Sequence, residues 1–114
     1  MGLFRYLRRR REEKLEDTTI PKKPYWVWFH KLTSHAVKRM NERKITKGEV
    51  YTNLTTKPIH KSKIKWDNEN RPSYQRISKN GINTAINPFN QKIVTVRREH
   101  AKKVDRYIRG NKRR

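Results

Sequence analysis

The spacing of the apolar residues changes at Pro58, and this change constrains the fold more than any other feature of the chain. Between Leu32 and Pro58, apolar residues recur every three or four positions, whereas from Pro58 to residue 98 they alternate with polar residues. The first pattern is typical of helices and the second of half-buried strands. The sequence therefore predicts an α+β domain, with N-terminal helices packed on an antiparallel β-meander of about four strands and a possible C-terminal helix.

Two helices are predicted before Pro58. The first covers residues 35–43, behind the N-capping oxygens of Thr33 and Ser34. Its predicted buried face carries three apolar residues, Ala36, Val37 and Met40. The second helix opens at Thr46, which with Glu49 matches a capping box, and it ends before Pro58.

Four strands are predicted after Pro58, over residues 59–66, 73–79, 82–87 and 92–98. Asn80 and Gly81 separate the second strand from the third, and this dipeptide is typical of a two-residue type I′ turn. Such a turn would pair Ile77 with Thr84 and Arg76 with Ala85. A terminal helix over residues 99–108 follows, and Gly110 is expected to end it.

The ends of the chain differ in composition from the middle. We expect residues 1–24 to form a basic leader or arm that closes with a stiff linker at Pro21 to Pro24, residues 25–109 a single domain, and residues 110–114 a basic tail. Residues 25–29, Tyr-Trp-Val-Trp-Phe, favour a strand or clasp. Because the chain is poor in hydrophobic residues, we expect these aromatic rings to pack inside rather than to stack on bases.

The net charge of +21 restricts the partners of this chain. A phosphate polyanion, an acidic protein and an anionic membrane surface are the ligands that such a charge favours, and nucleic acid is the first expectation. The apolar start of the leader, with Leu3, Phe4 and Leu7, is the feature that would suit a membrane surface. No run of residues is long and apolar enough for a membrane span, and the lack of cysteine excludes disulfides and thiolate chemistry.

Acidic residues are too scarce for a typical metal-dependent nuclease, which gathers carboxylates around its cations. Between residues 50 and 98 the acids are Asp67 and Glu69, and both lie in a predicted turn. Cleavage of RNA without a metal needs a base for the 2′-hydroxyl, an acid for the leaving oxygen and donors for the phosphorane. Histidine, tyrosine, lysine, arginine and threonine supply these groups, and we expect no cofactor.

Residues 34–50 carry the pattern S-H-A-x-x-R-M-x-x-R-x-I-T-x-x-E-V, and the last predicted strand carries I-V-T-V at 93–96. This arrangement resembles the barnase/EndoU/colicin/RelE-like (BECR) ribonuclease domains of bacterial and phage polymorphic toxins. The resemblance covers roughly residues 33–98. It implies a metal-independent endoribonuclease that forms a 2′,3′-cyclic phosphate. It also implies an RNA substrate (tRNA, rRNA or mRNA), an acidic immunity protein or antitoxin as partner, and action in the bacterial cytoplasm, including that of a cell into which the toxin is delivered.

By the same resemblance, a helix histidine, basic side chains and hydroxyl groups on the sheet would make up the site. The residues marked in this way are His35, Arg39, Arg43 and Thr95, with Tyr74 and Arg76 as further candidates on the sheet. Each residue also has an ordinary structural explanation. His35 could cap or pack, the helix arginines could be solvated, and Thr95 fits average strand composition. The alternative function is a non-catalytic RNA- or DNA-binding protein, such as a ribosome-associated or packaging factor, which grips phosphates with the same residues.

Overall fold

The structure is a computed structural model that describes residues 14–112, so the apolar and arginine-rich start of the leader and the last two arginines lie outside the described residues. From residue 25 onward the strands are β1 Trp26–Val27, β2 His30–Lys31, β3 His60–Lys61, β4 Lys65–Trp66, β5 Pro72–Ile77, β6 Ile82–Ile86 and β7 Ile93–Arg98. The helices are α1 Ser34–Arg43, α2 Lys47–Thr55 and α3 Ala101–Lys112. None of these helices combines the length and apolar content needed to cross a bilayer.

An antiparallel sheet forms the centre of the fold, in the order β3-β5-β6-β7, with β4 paired to the same edge of β5 as β3. The α+β class and the C-terminal helix agree with the prediction. The helices do not all precede the strands, however, because the β1–β2 hairpin lies before α1 in the chain. The single strand predicted for residues 59–66 is also split in two. The Ser62 hydroxyl takes the Gln75 N–H at 2.8 Å, so the side chain replaces a backbone acceptor and the strand is interrupted.

Both helices before the sheet begin with the caps that the sequence predicts. Thr33 Oγ1 accepts the Ala36 N–H at 3.1 Å, and Ala36, Val37 and Met40 are buried as expected. In α2, Thr46 and Glu49 form the complete capping box. Lys44, with a φ of 56°, adopts the left-handed conformation that ends α1 and turns the chain into α2.

The β5–β6 hairpin differs from its predicted register by one residue. Ser78 N–H bonds to the Ile82 carbonyl at 3.1 Å and Gly81 N–H to the Ser78 carbonyl at 2.9 Å, which makes a three-residue loop with Gly81 at a φ of 83°. Within this loop only Gly81 has a positive φ, whereas a type I′ turn needs two such residues, so the type I′ turn is not formed. Ile77 therefore pairs with Asn83 instead of Thr84, and Arg76 with Thr84 instead of Ala85.

Two apolar clusters hold the domain together. The larger one lies between the sheet and the pair α1 and α2, and all of its fully buried side chains are aliphatic or methionine. The smaller one, Ile59, Ile77 and Val104, lies under α3. Gly110 does not end α3, because the helix runs on through Lys112 and Asn111 Nδ2 donates to the Ile59 carbonyl at 2.9 Å, which fixes the last turn to the sheet edge.

The described part of the leader is packed rather than detached. The Gly48 N–H donates to the Asp17 carbonyl at 2.7 Å, and Asn41 Nδ2 donates to the Pro21 carbonyl at 2.7 Å. A Cβ on Gly48 would lie 2.5 Å from the Leu15 carbonyl oxygen, so glycine permits this close approach. The first residue of the predicted linker, Pro21, is therefore bonded to α1, and the leader just before it is bonded to α2.

The aromatic run at residues 25–29 does not pack inside as expected. Val27 is its only buried residue, whereas the four aromatic side chains around it are exposed, namely Tyr25, Trp26, Trp28 and Phe29. The core is filled by aliphatic side chains from the helices and strands, so no interior position is left for large rings.

Candidate nucleic-acid interface

Arg43 binds the backbone of the sheet. Its Nη1 donates to the Val96 carbonyl at 2.6 Å, while the Thr33 hydroxyl donates to the Ile93 carbonyl at 2.9 Å. Both carbonyls belong to β7, the edge strand, whose outer side meets an isolated bridge between Leu32 and Ile93 rather than a full strand. Arg43 and Thr33 therefore fix α1 along the edge of the sheet.

Arg76 is used in a similar way at the end of α2. Its Nε donates to the Asn53 carbonyl at 2.8 Å and its Nη2 to the Thr56 carbonyl at 2.6 Å. These carbonyls lie in and just after the last turn of a helix, where no intrahelical donor remains. Arg76 thus caps α2 from the sheet, and its guanidinium is occupied by protein groups.

His35 and Arg39 are the two predicted site residues that the structure brings together. Arg39 Nε lies 3.4 Å from His35 Nε2 on the outer face of α1. The same guanidinium holds Glu42 at 2.8 Å, and this hydrogen bond lowers the pKa of the Glu42 carboxyl. A histidine beside a guanidinium is a group that can contact a phosphate and exchange a proton with it.

Tyr74 and Thr95 lie on opposite faces of the sheet. Tyr74 pairs with Ile86 and packs against the larger core on the helix side. Thr95 pairs with Ala85, whose side chain points to the other face because side chains alternate along a strand. The six predicted residues therefore do not all lie on one face of the sheet. The predicted register would have put Arg76 opposite Ala85, on the face that carries Thr95.

Asn53 is a buried polar residue for which the sequence predicted no structural role. Its Nδ2 lies 2.9 Å from the Arg76 carbonyl and 2.8 Å from the Ile82 carbonyl, and its Oδ1 accepts the Thr84 hydroxyl at 2.7 Å. The side chain thus joins α2 to β5 and β6. An asparagine on the apolar face of a predicted helix was the available signal.

The carboxylates nearest the sheet are neutralised by neighbouring side chains. The hydrogen bonds and charge of Arg98 lower the pKa of Glu49, against the opposing effect of its partial burial. Burial would raise the pKa of Glu99, but the hydrogen bond from Asn83 and the charges of Arg97 and Lys103 lower it. Within residues 14–112, no three histidine, aspartate or glutamate side chains converge as a metal site would need.

A basic groove lies where α3 passes β3. Its volume is about 1070 Å³, and its four cationic lining residues are Lys57, Lys61, Lys79 and Arg106. No carboxylate lines the groove, and in the described part of the chain none of these four forms an ion pair. His60 and Tyr107 stack on its wall with their ring centres 4.3 Å apart. The groove therefore offers positive charge without a carboxylate partner beside aromatic surface, and the ammonium group of Lys61 also lies 5.0 Å from the centre of the Tyr74 ring.

Searches against protein-family models, curated proteins and solved structures found no match to this chain.

Proposed function

We propose that this protein binds nucleic acid through its phosphate backbone, with the groove between β3 and α3 as the main contact. The observation that carries the proposal is the excess of positive charge in the groove. Its four cationic side chains face solvent, and no acidic residue lines it. Phosphates release bound counterions when such cations neutralise them, which is the main source of affinity for basic proteins.

The exposed segment after the groove extends this basic surface. Lys61, Lys63 and Lys65 are all exposed along the edge of β5, between the groove and the far end of the sheet. The six residues of β5 span about 17 Å, which is enough for several phosphates in succession. A polyanion is a better fit for this surface than a single small anion.

The experiment compares two double variants of equal charge. Lys57→Gln with Lys79→Gln removes two groove cations, and Lys38→Gln with Lys44→Gln removes two exposed cations from α1 and its C-cap. Binding of a fluorescently labelled single-stranded RNA is measured over a series of KCl concentrations. The slope of log K against log salt is negative, and the groove variant should make it less steep by about 1.4, since each phosphate contact on a single strand contributes about 0.7.

The α1 control should change the slope by less than half as much, because its cations lie outside the groove. Equal changes in both variants would mean that only net charge matters, and would contradict the groove as the main contact. Wild-type binding that does not depend on salt would contradict the proposal as a whole.

The second candidate function is the metal-independent endoribonuclease of a BECR-like toxin, and the pairing of His35 with Arg39 favours it. In that reaction His35 would take the proton of the 2′-hydroxyl, and Arg39 would stabilise the charge on the phosphorane. The 2′-oxygen would form a bond to phosphorus while the bond from phosphorus to the 5′-oxygen of the next nucleotide breaks. That 5′-oxygen would leave with a proton from an acid. The other predicted residues do not add to this pair. Arg43 and Arg76 donate to backbone carbonyls, and Thr95 lies on the face of the sheet away from α1.

Incubation of the protein with total RNA in EDTA tests this second candidate. The expected result is cleavage to fragments ending in cyclic phosphate, lost in His35→Ala and kept in the α1 control Lys38→Gln. Intact RNA at high protein concentration, or equal cleavage by His35→Ala, would contradict it. If the reaction occurs in cells, expression without an acidic partner protein should arrest growth, and His35→Ala should relieve the arrest.

A further inference from the structure

The aromatic side chains are distributed in an unusual way for a small domain. None of the phenylalanine, tryptophan or tyrosine side chains in residues 14–112 is buried. Six are exposed, and they are Tyr25, Trp26, Trp28, Phe29, Trp66 and Phe89. Exposed aromatic clusters of this kind usually mark a binding surface, because their rings remain in contact with water in the unbound protein.

Two of these residues form a pair at one end of the sheet. Trp66 in β4 and Phe89 in the β6–β7 turn have ring centres 6.2 Å apart, and they are 57% and 73% exposed. Lys65 precedes Trp66 and faces solvent. The nearby acids Asp67 and Glu69 are held by Arg71, at 2.9 and 3.4 Å.

A second pair forms the tip of the β1–β2 hairpin. Trp28 and Phe29 are its two loop residues, with ring centres 4.9 Å apart and exposures of 46% and 71%. Trp28 has a φ of 55°, a conformation that strongly favours glycine at the first position of a two-residue turn. A tryptophan therefore occupies a position where glycine would be more stable.

A side-chain hydrogen bond places the two pairs at the same end of the molecule. His30 Nδ1 donates to the Gln91 carbonyl at 2.8 Å, which joins the hairpin directly to the turn that carries Phe89. Leu32 bridges to Ile93 one step further along. Lys31 and Lys92 are exposed and lie two and three residues after Phe29 and Phe89, so each aromatic pair has a cation close to it in the chain.

We propose that the strand bound by this protein is single-stranded, and that its unpaired bases stack on the Trp66–Phe89 and Trp28–Phe29 pairs. This inference rests on the proposed function, since the groove would hold the phosphates of the same strand. Bases in a duplex already stack on each other and cannot present their faces to a ring, whereas unpaired bases can. The positive charge around the pairs favours a polyanion over a second protein of mixed charge.

The test uses labelled oligouridine of about 12 nucleotides and an RNA duplex of the same length. Wild type should bind the single strand at least about tenfold more tightly, with quenching of tryptophan fluorescence. Trp66→Ala and Phe89→Leu should each weaken single-strand binding about five- to tenfold, and should leave duplex binding unchanged. Phe89→Leu keeps an apolar side chain, so a loss of affinity in this variant is due to the missing aromatic ring.

Two further variants separate stacking from fold and from general apolarity. Trp28→Gly should weaken single-strand binding while the melting temperature stays equal or rises, because it relieves the backbone strain. Ile64→Ala, at another exposed apolar residue, should bind as wild type. Equal affinity for strand and duplex, or unchanged single-strand affinity in all aromatic variants, would overturn the inference and leave the surface to a protein partner. No binding to either RNA would overturn the proposed function as well.

Discussion

The helix-covered face of the sheet and the β3–α3 groove use the same positive charge in different ways. On the helix face, Arg43 and Arg76 donate to backbone carbonyls, and Arg98 holds Glu49 and the Lys44 carbonyl. In the groove, Lys57, Lys61 and Lys79 form no ion pair with an acidic residue of the described chain. The arginines of the first region stabilise the fold, while the cations of the second remain available to a ligand.

The difference follows from the geometry of the two side chains. A guanidinium presents several donors in a fixed plane, so it can join two carbonyls from different elements, as Arg76 does. An ammonium group is a strongly hydrated point charge on a flexible stem, and it loses little when it stays in water. Net charge alone therefore overstates the binding surface of a very basic chain.

The largest effect that would sharpen this comparison is expected at Asn53, whose side chain joins α2 to β5 and β6 on the helix-covered face. Asn53→Leu should lower the free energy of unfolding by about 2–4 kcal/mol, because the carbonyls of β5 and β6 and the Thr84 hydroxyl lose their partner. Urea denaturation measures it. Asn68→Leu, at an exposed turn residue, should change stability by less than about 0.5 kcal/mol. Equal effects of the two substitutions would contradict the buried network.

Arg76 and Lys79 test the comparison directly, since they lie three residues apart in the two regions. Arg76→Gln should cost about 1–2 kcal/mol of stability through the lost cap of α2, with RNA affinity unchanged once folded. Lys79→Gln should leave stability within about 0.5 kcal/mol and weaken RNA binding. The opposite assignment of the two effects would break the distinction between building and binding cations.

The Glu49–Arg98 pair gives the helix face a dependence on pH. The pKa of Glu49 is lowered in the folded protein from its ordinary value of 4.5, so its stabilising contribution is present above that value and is lost as the pH falls through the lower, folded pKa. Glu49→Gln should cost about 1 kcal/mol at pH 6 and less at pH 3. Thermal melts of both proteins at the two pH values measure the difference. A cost that grows on acidification would contradict the pairing.

The smallest effect is expected at Gly110, on the groove side. Gly110→Ala should raise stability by about 0.5 kcal/mol, because α3 continues through this residue and an added Cβ meets no atom within 4 Å. Gly48→Ala is the contrasting variant, since its Cβ would press on the backbone at Leu15 and Asp17. Loss of stability in Gly110→Ala would mean that α3 ends before this residue.

Local signals in the sequence predicted the local structure well. The capping box at Thr46, the buried face of α1 and the last three strands predicted after Pro58 depend on residues close together in the chain, and the structure confirms them. The groove was not predicted, because its lining joins Lys57 to Arg106 and Tyr107 across half of the sequence. Nothing in the local pattern of residues indicates that α3 returns to β3.

The predicted site failed for a related reason. Whether Thr95 meets Arg76 depends on the register of β5 against β6, and one extra loop residue at Asn80 and Gly81 reverses the face of each side chain. Likewise, the exposure of Trp28 and Phe29 follows from a core already filled by aliphatic residues elsewhere. Composition predicts how many rings a chain has, and packing decides where they lie.

An NMR titration of the ¹⁵N-labelled protein with oligouridine tests the central claim most directly. We predict that shift changes gather at the groove and at the two aromatic pairs, with Lys79, Tyr107 and Trp66 among the residues most affected, while the amides of α2 and the Asn53 side chain remain unchanged. Shift changes confined to the outer face of α1, or spread evenly over all lysines and arginines, would contradict the division of the charge into building and binding regions.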